Sequence, residues 1–128
     1  EITKAILSNQ NNLKKIIKII HQEVRSKMNV FLKKNKKKKF VILDIPLLLE
    51  NKINNKRDVL VFVESKKSDI FKKLKSRNNF NKDLYKKFKN IQLPISYKKK
   101  KSHYVIKNNF NKNSARKKAK DVLERIQL

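Results

Sequence analysis

Apolar residues recur every three or four positions through Leu13, Ile17, Ile20, Val24, Met28 and Phe31. This spacing draws one stripe down a helix, widened by Ile16, Ile19 and Leu32, and predicts a helix over residues 10–34. Before it, residues 1–9 hold the short apolar pair Ile6 and Leu7, and Ser8-Asn9 reads as a helix start. The basic block at 33–39 closes the helix, because lysines suit a helix C-terminus and their mutual repulsion favours an exposed connector. The pattern then changes. Residues 40–45 are apolar, β-branched and aromatic without strict alternation, which predicts a strand buried on both faces. Pro46 has no N–H to continue a ladder and should stop it.

A polar connection at 51–58 leads to a second buried strand over 59–64. Ser68 is placed to cap a helix in which Ile70, Phe71 and Leu74 face inward and Arg77 ends the last turn. After a turn at 78–81, Leu84, Phe88 and Ile91 predict another helix that stops before Pro94. The basic run 98–101 precedes a third strand at 103–106, and Asn108-Asn109 turns the chain. Ser114 is placed to cap a last helix with Ala115, Ala119, Val122, Leu123 and Ile126 inward. Strands alternating with helices argue for an α/β fold with a parallel sheet, here of three strands. The chain has no internal repeat and no clear domain boundary.

Composition narrows the function. The chain has 128 residues, enough for one domain, and a formal net charge of +26. Such a balance favours polyanionic partners: nucleic acid, an anionic membrane or phosphorylated metabolites. Against nucleic acid stands the make-up of the charge. There are 31 Lys against 5 Arg, beside 16 Asn and 14 Ile, all residues with AT-rich codons. Arginine is the better phosphate fork, and no periodic aromatic platform interrupts the lysines. Cysteine is absent and only His21 and His103 are present, so neither a disulfide nor a thiolate or histidine metal site is expected. No run is long enough for a membrane span or a signal peptide, and a cytoplasmic location is the default. Glycine is also absent, which excludes a glycine-rich phosphate loop within these residues. The asparagines are expected to take over positions of positive φ.

Five stretches carry a resemblance. Asp44-Ile45-Pro46-Leu47-Leu48-Leu49-Glu50 resembles the D-I-P-L-L-F-E signature of the dephospho-CoA kinase family. Ile19-Ile20-His21-Gln22-Glu23-Val24 resembles I-I-H-P-x-V, with Gln22 for proline. Leu74-Lys75-Ser76-Arg77 resembles the end of Q-x-x-R-L-x-x-R, with Ile70 and Lys73 at the Gln and Arg positions. Ile91-Gln92-Leu93-Pro94 with Lys98 resembles x-Q-x-P-x-x-x-K, and Ser102-His103-Tyr104-Val105-Ile106-Lys107-Asn108 resembles A-D-Y-V-I-x-N, with Ser102 and His103 replacing Ala-Asp. The five fall in the family's order and cover nearly the whole chain. The family moves the γ-phosphate of ATP to the ribose 3′-hydroxyl of dephospho-CoA, the last step of coenzyme A synthesis.

The resemblance implies a partial P-loop kinase fold, a three-layer α/β/α arrangement around a parallel sheet, with the first two strands missing. The match is to roughly the C-terminal two-thirds of the family's length. Residues 1–38 would be a helical CoA-substrate region, and 39–128 the remaining core, lid and adenine-loop region. In the family's strand order, 2-3-1-4-5, residues 40–45 and 59–63 flank the absent first strand, so the 128 residues alone are expected to be poorly folded and inactive. ATP would be the phosphate donor, with Mg²⁺ bound mainly by the missing N-terminal segment. No metal ligand is assigned here.

Residue by residue, the resemblance gives Arg77 the role of a lid arginine clamping ATP phosphates, with Lys73 one turn earlier as a point charge. These two are the catalytic candidates. Gln92, Lys98 and Asn108, with Arg77, are the nucleotide-binding candidates. Asn108 can meet an adenine edge or serve as a turn residue. His21, Asp44, Pro46, Leu47, Leu48 and Glu50 are the substrate-binding candidates. Leu47 and Leu48 read equally as core, and His21 as a packing or contact residue rather than a base. A basic nucleic-acid-binding module, or a P-loop-free homologue serving as a binding or structural protein, are the alternatives.

Overall fold

The computed structural model describes residues 1–127. It is a mixed α/β structure with mostly helices and a small parallel sheet, consistent with a partial P-loop kinase-like fold. The chain divides into two compact units. The first joins Glu1–Asn54 to Lys82–Gln92; the second joins Asn55–Asn81 to the chain from Leu93 onward.

The first unit is helical. Helix α1 (Ile2–Ser8) precedes α2 (Gln10–Lys34), and Asn9 between them is extended. Its side-chain oxygen accepts from the Asn11 N–H at 2.8 Å, so Asn9 rather than Ser8 starts the long helix. Ile6, Leu13 and Ile53 form its buried core, at 5%, 3% and 5% exposure. The helix α4 (Lys82–Asn90) packs against α1. Lys87 on α4 donates its ammonium to the carbonyls of Ile6 and Leu7, at 2.8 and 3.0 Å, satisfying acceptors at the end of α1. The stripe expected along α2 holds for Leu13, Ile16, Ile17, Val24, Met28 and Leu32, but Ile19, Ile20 and Phe31 are exposed.

The strand expected at 40–45 does not form. These residues join no ladder, and they are not buried on both faces: Val41, Leu43 and Ile45 are half-buried while Phe40, Ile42 and Asp44 are exposed. A strand exists through its partner, and residues 40–45 have none among the described residues.

The second unit holds the sheet. Strands β1 (Val61–Glu64) and β2 (Tyr104–Lys107) pair in parallel, with Val61 opposite Tyr104 and Glu64 opposite Lys107. Both lie within two residues of their expected starts. Leu60 extends the ladder: its carbonyl accepts from the His103 and Tyr104 N–H groups, and its own N–H donates to His103 Nδ1 at 2.9 Å. Helix α3 (Lys67–Lys75) follows β1, α5 (Ile95–Lys101) precedes β2, and α6 (Lys112–Gln127) closes the chain. Ser68 is the second residue of α3 and makes no cap; its hydroxyl donates to Asp69. Nor does Ser114 cap α6, because the Asn111 side chain accepts from the Ser114 N–H at 3.0 Å. The inward face of α6 is Ala115, Lys118, Val122 and Ile126, whereas Ala119 and Leu123 are exposed.

Candidate functional site

The D-I-P-L-L-L-E stretch occupies a tight, over-determined turn. The N–H groups of Asn51 and Ile53 donate to the carbonyls of Leu47 and Leu48, at 3.1 Å each. The Asn51 side-chain amide donates to the Leu47 carbonyl at 2.7 Å, and Arg25 of α2 donates to the Asn51 carbonyl at 2.8 Å. Ile53 anchors the turn in the core. These ties hold Leu47 at φ 55° and Lys52 at φ 50°. For a residue with a Cβ the left-handed conformation costs about 1–2 kcal/mol. Such cost persists where the surroundings fix the backbone, and it clusters at ligand clamps and active sites. The glycine-free chain thus places Leu47, Lys52 and Phe110 at its described positive-φ positions, and none is an asparagine. The asparagines contribute through side-chain bonds to neighbouring backbone instead, as Asn9, Asn51, Asn108, Asn109 and Asn111 do.

Beside this turn, α2 and residues 42–45 line a shallow depression of about 270 Å³. Val24, Met28 and Phe31 supply its apolar side, with Lys27 on the same helix, facing Ile42, Leu43, Asp44 and Ile45. Asp44 and Pro46 are exposed, and Leu47, Leu48 and Glu50 are half-buried. His21 lies two turns up α2 from Met28, half-buried, with Nδ1 closed off from solvent and without a hydrogen-bond partner. An apolar depression rimmed by one cation and one carboxylate, next to a strained turn, can hold a partly apolar, partly charged molecule. Sequence reasoning missed Arg25, Lys27 and Asn51. The i, i+4, i+7 offsets of Val24, Met28 and Phe31 along the stripe were its only signal for the opposite wall.

The candidate cations Lys73, Arg77 and Lys98 lie in the second unit. Lys73 stands on α3, and Arg77 follows it, exposed, in the turn where the Arg77 carbonyl accepts from the Phe80 N–H. Phe71 and Phe80 pack edge to face at 5.9 Å and brace that turn, and the Lys75 ammonium sits over Phe71 at 5.0 Å. Lys98 is half-buried on α5, and its carbonyl accepts from the Ser102 hydroxyl. Asn108 ties the end of β2 to that of β1, its N–H donating to the Glu64 carbonyl at 2.7 Å. Its side-chain oxygen accepts from the Phe110 N–H at 2.9 Å. Gln92 belongs to the first unit.

Among the described residues, no three His, Asp or Glu side chains converge to hold a metal ion. No helix there is long and apolar enough to cross a membrane.

Comparison with known proteins supplies the family. A sequence model described as dephospho-CoA kinase matches residues 1–114. The dephospho-CoA kinase of Wolbachia sp. subsp. Brugia malayi is 27% identical across 100% of the chain and 69% of its own length. That of Wolbachia pipientis wMel is 30% identical, over 99% of the chain and 66% of its length. That of Leptospira interrogans (serovar copenhageni) is 30% identical, over 95% of the chain and 59% of its length. The chain therefore spans roughly three-fifths to two-thirds of the relatives it matches. With most of its length matched, the chain belongs to the dephospho-CoA kinase family.

Proposed function

We propose that these residues are the substrate and lid portion of an enzyme that transfers the γ-phosphate of ATP to the 3′-hydroxyl of dephospho-CoA, giving coenzyme A. The observation that carries this is the strained turn bearing the Asp44–Glu50 signature, set beside an apolar depression on α2. Pro46, Leu47, Leu48 and Glu50 form one wall of the dephospho-CoA site. Val24, Met28 and Phe31 receive an apolar portion of that substrate, and His21 contacts it from α2. Asp44 lies at the rim.

Phosphoryl transfer asks little covalent work of a protein and much neutralisation of charge. Arg77 is exposed and carries five donors in a rigid fork, so it can swing onto the transferring phosphate as the lid closes. Lys73 adds a point charge on the same segment. Lys98 and Gln92 act as lid-following contacts, and Asn108 as an adenine-edge contact. Mg²⁺ would accompany ATP, and none of the roles here runs through it. The intact protein works as a cytoplasmic enzyme on small-molecule substrates.

The intact protein incubated with ATP and dephospho-CoA should yield coenzyme A. Arg77→Ala should lower kcat about a hundredfold, the scale of losing one charge-stabilising donor, without changing the unfolding midpoint. Unchanged turnover would remove Arg77 from the lid role.

A further inference from the structure

We propose that Arg25 is a positioning residue of the substrate site: by holding the Asn51–Lys52 peptide from α2, it fixes the signature turn against the helix that forms the opposite wall. The role rests on the kinase reading above, since dephospho-CoA is the substrate it serves. Arg25 is exposed and directly follows Val24, which lines the depression; Lys27 and Met28 of the same wall come within the next turn of helix. From there its guanidinium donates to the Asn51 carbonyl at 2.8 Å, joining positions 26 residues apart. Both residues belong to the same compact unit.

The peptide that Arg25 holds is the one whose orientation sets the strained backbone. It joins Asn51 to Lys52, and Lys52 lies at φ 50°, in the left-handed region that a Cβ disfavours. Both polar ends of this peptide are engaged: the carbonyl by Arg25, and the N–H by the Leu49 carbonyl at 3.3 Å. The second bond is longer than usual, and the first has a charged donor, so the guanidinium is the firmer hold. The bonds from the Asn51 and Ile53 N–H groups and the Asn51 amide run inside the turn, to the Leu47 and Leu48 carbonyls. They shape the loop without placing it against α2. Arg25 does place it, together with the buried Ile53. Without the guanidinium the peptide can rotate to a less strained conformation. Leu47 and Leu48, bonded to the next residues, then shift with it, and the wall they form moves relative to Val24 and Met28. Arg25 thus acts on dephospho-CoA through the turn, and ATP does not depend on it.

The test is steady-state kinetics of coenzyme A formation by the intact protein, for wild type, Arg25→Ala, Lys52→Gly and the double variant. Arg25→Ala should raise KM for dephospho-CoA about tenfold, the scale of one hydrogen bond to a charged group. KM for ATP and kcat should stay at the wild-type values. Lys52→Gly removes the backbone strain that Arg25 restrains, so adding it to Arg25→Ala should win back about threefold of the lost KM. Lys52→Gly alone should keep the wild-type KM. A guanidinium that touched the substrate directly would show no such recovery. An unchanged KM for dephospho-CoA in Arg25→Ala, a rise shared equally by ATP, or no recovery in the double variant overturns the positioning role. Coenzyme A formation by wild type in any of those cases leaves the kinase reading standing. A wild type that forms no coenzyme A overturns both.

Discussion

Ile6, Leu13 and Ile53, the buried apolar side chains among the described residues, all lie in the first unit. In the second unit the ladder joins β1 to β2, yet Val61, Val63 and Val105 remain 39%, 56% and 42% exposed. The contrast follows from how the elements are built. Helices satisfy their own backbone and can bury a stripe against any neighbour. Strands satisfy theirs only through partners, and this two-stranded sheet leaves apolar residues exposed on both faces, Val61 and Val63 on one and Val105 on the other. The functional residues follow the same division. The strained turn at Leu47 and Lys52 sits where a packed core holds it, whereas the exposed cations Lys73 and Arg77 sit on the less buried unit, where charge stays accessible.

Four substitutions would break or sharpen this contrast. The largest effect should come from Leu13→Ala, which empties a buried site and should cost about 3 kcal/mol in urea unfolding of the intact protein. Val105→Ala, its exposed counterpart on the sheet, should cost under about 0.5 kcal/mol. Equal losses would mean that the sheet face is covered as well as the helical core. Next comes Asn111→Ala, which removes the side-chain cap of α6 and should cost about 1 kcal/mol, read as a lower helical melting midpoint. A loss near zero would make α6 independent of its cap. The smallest change should be a gain. Lys52→Gly relieves an exposed left-handed residue and should raise stability by somewhat under about 1 kcal/mol, since glycine also loosens the unfolded chain. Destabilisation would mean that Lys52 holds a contact worth more than its backbone cost.

Much of this fold was legible because periodicity reports burial. Helix α2 ends where the stripe from Leu13 to Phe31 meets the lysine block, and β1 and β2 match the β-branched runs near Val61 and Val105. Helices α1 and α5 were not foreseen, since seven residues give too little periodicity to register. Residues 40–45 misled for another reason: their composition reads as a strand, but pairing depends on residues distant in sequence. The signature turn was legible by its resemblance, but its strain was not. Propensity assigns positive φ to asparagine, whereas here it falls on Leu47 and Lys52, in a turn tied to α2 through Arg25, and on Phe110, beside the local Asn108 bond.

The central claim, transfer of phosphate to dephospho-CoA, is tested most directly by incubating the intact protein with γ-labelled ATP and dephospho-CoA. The product is then located by mass spectrometry. The account predicts label on the ribose 3′-hydroxyl of coenzyme A, at a rate that falls about a hundredfold in Arg77→Ala. ATP consumed with no label reaching dephospho-CoA, or no turnover by the wild type at all, would contradict it.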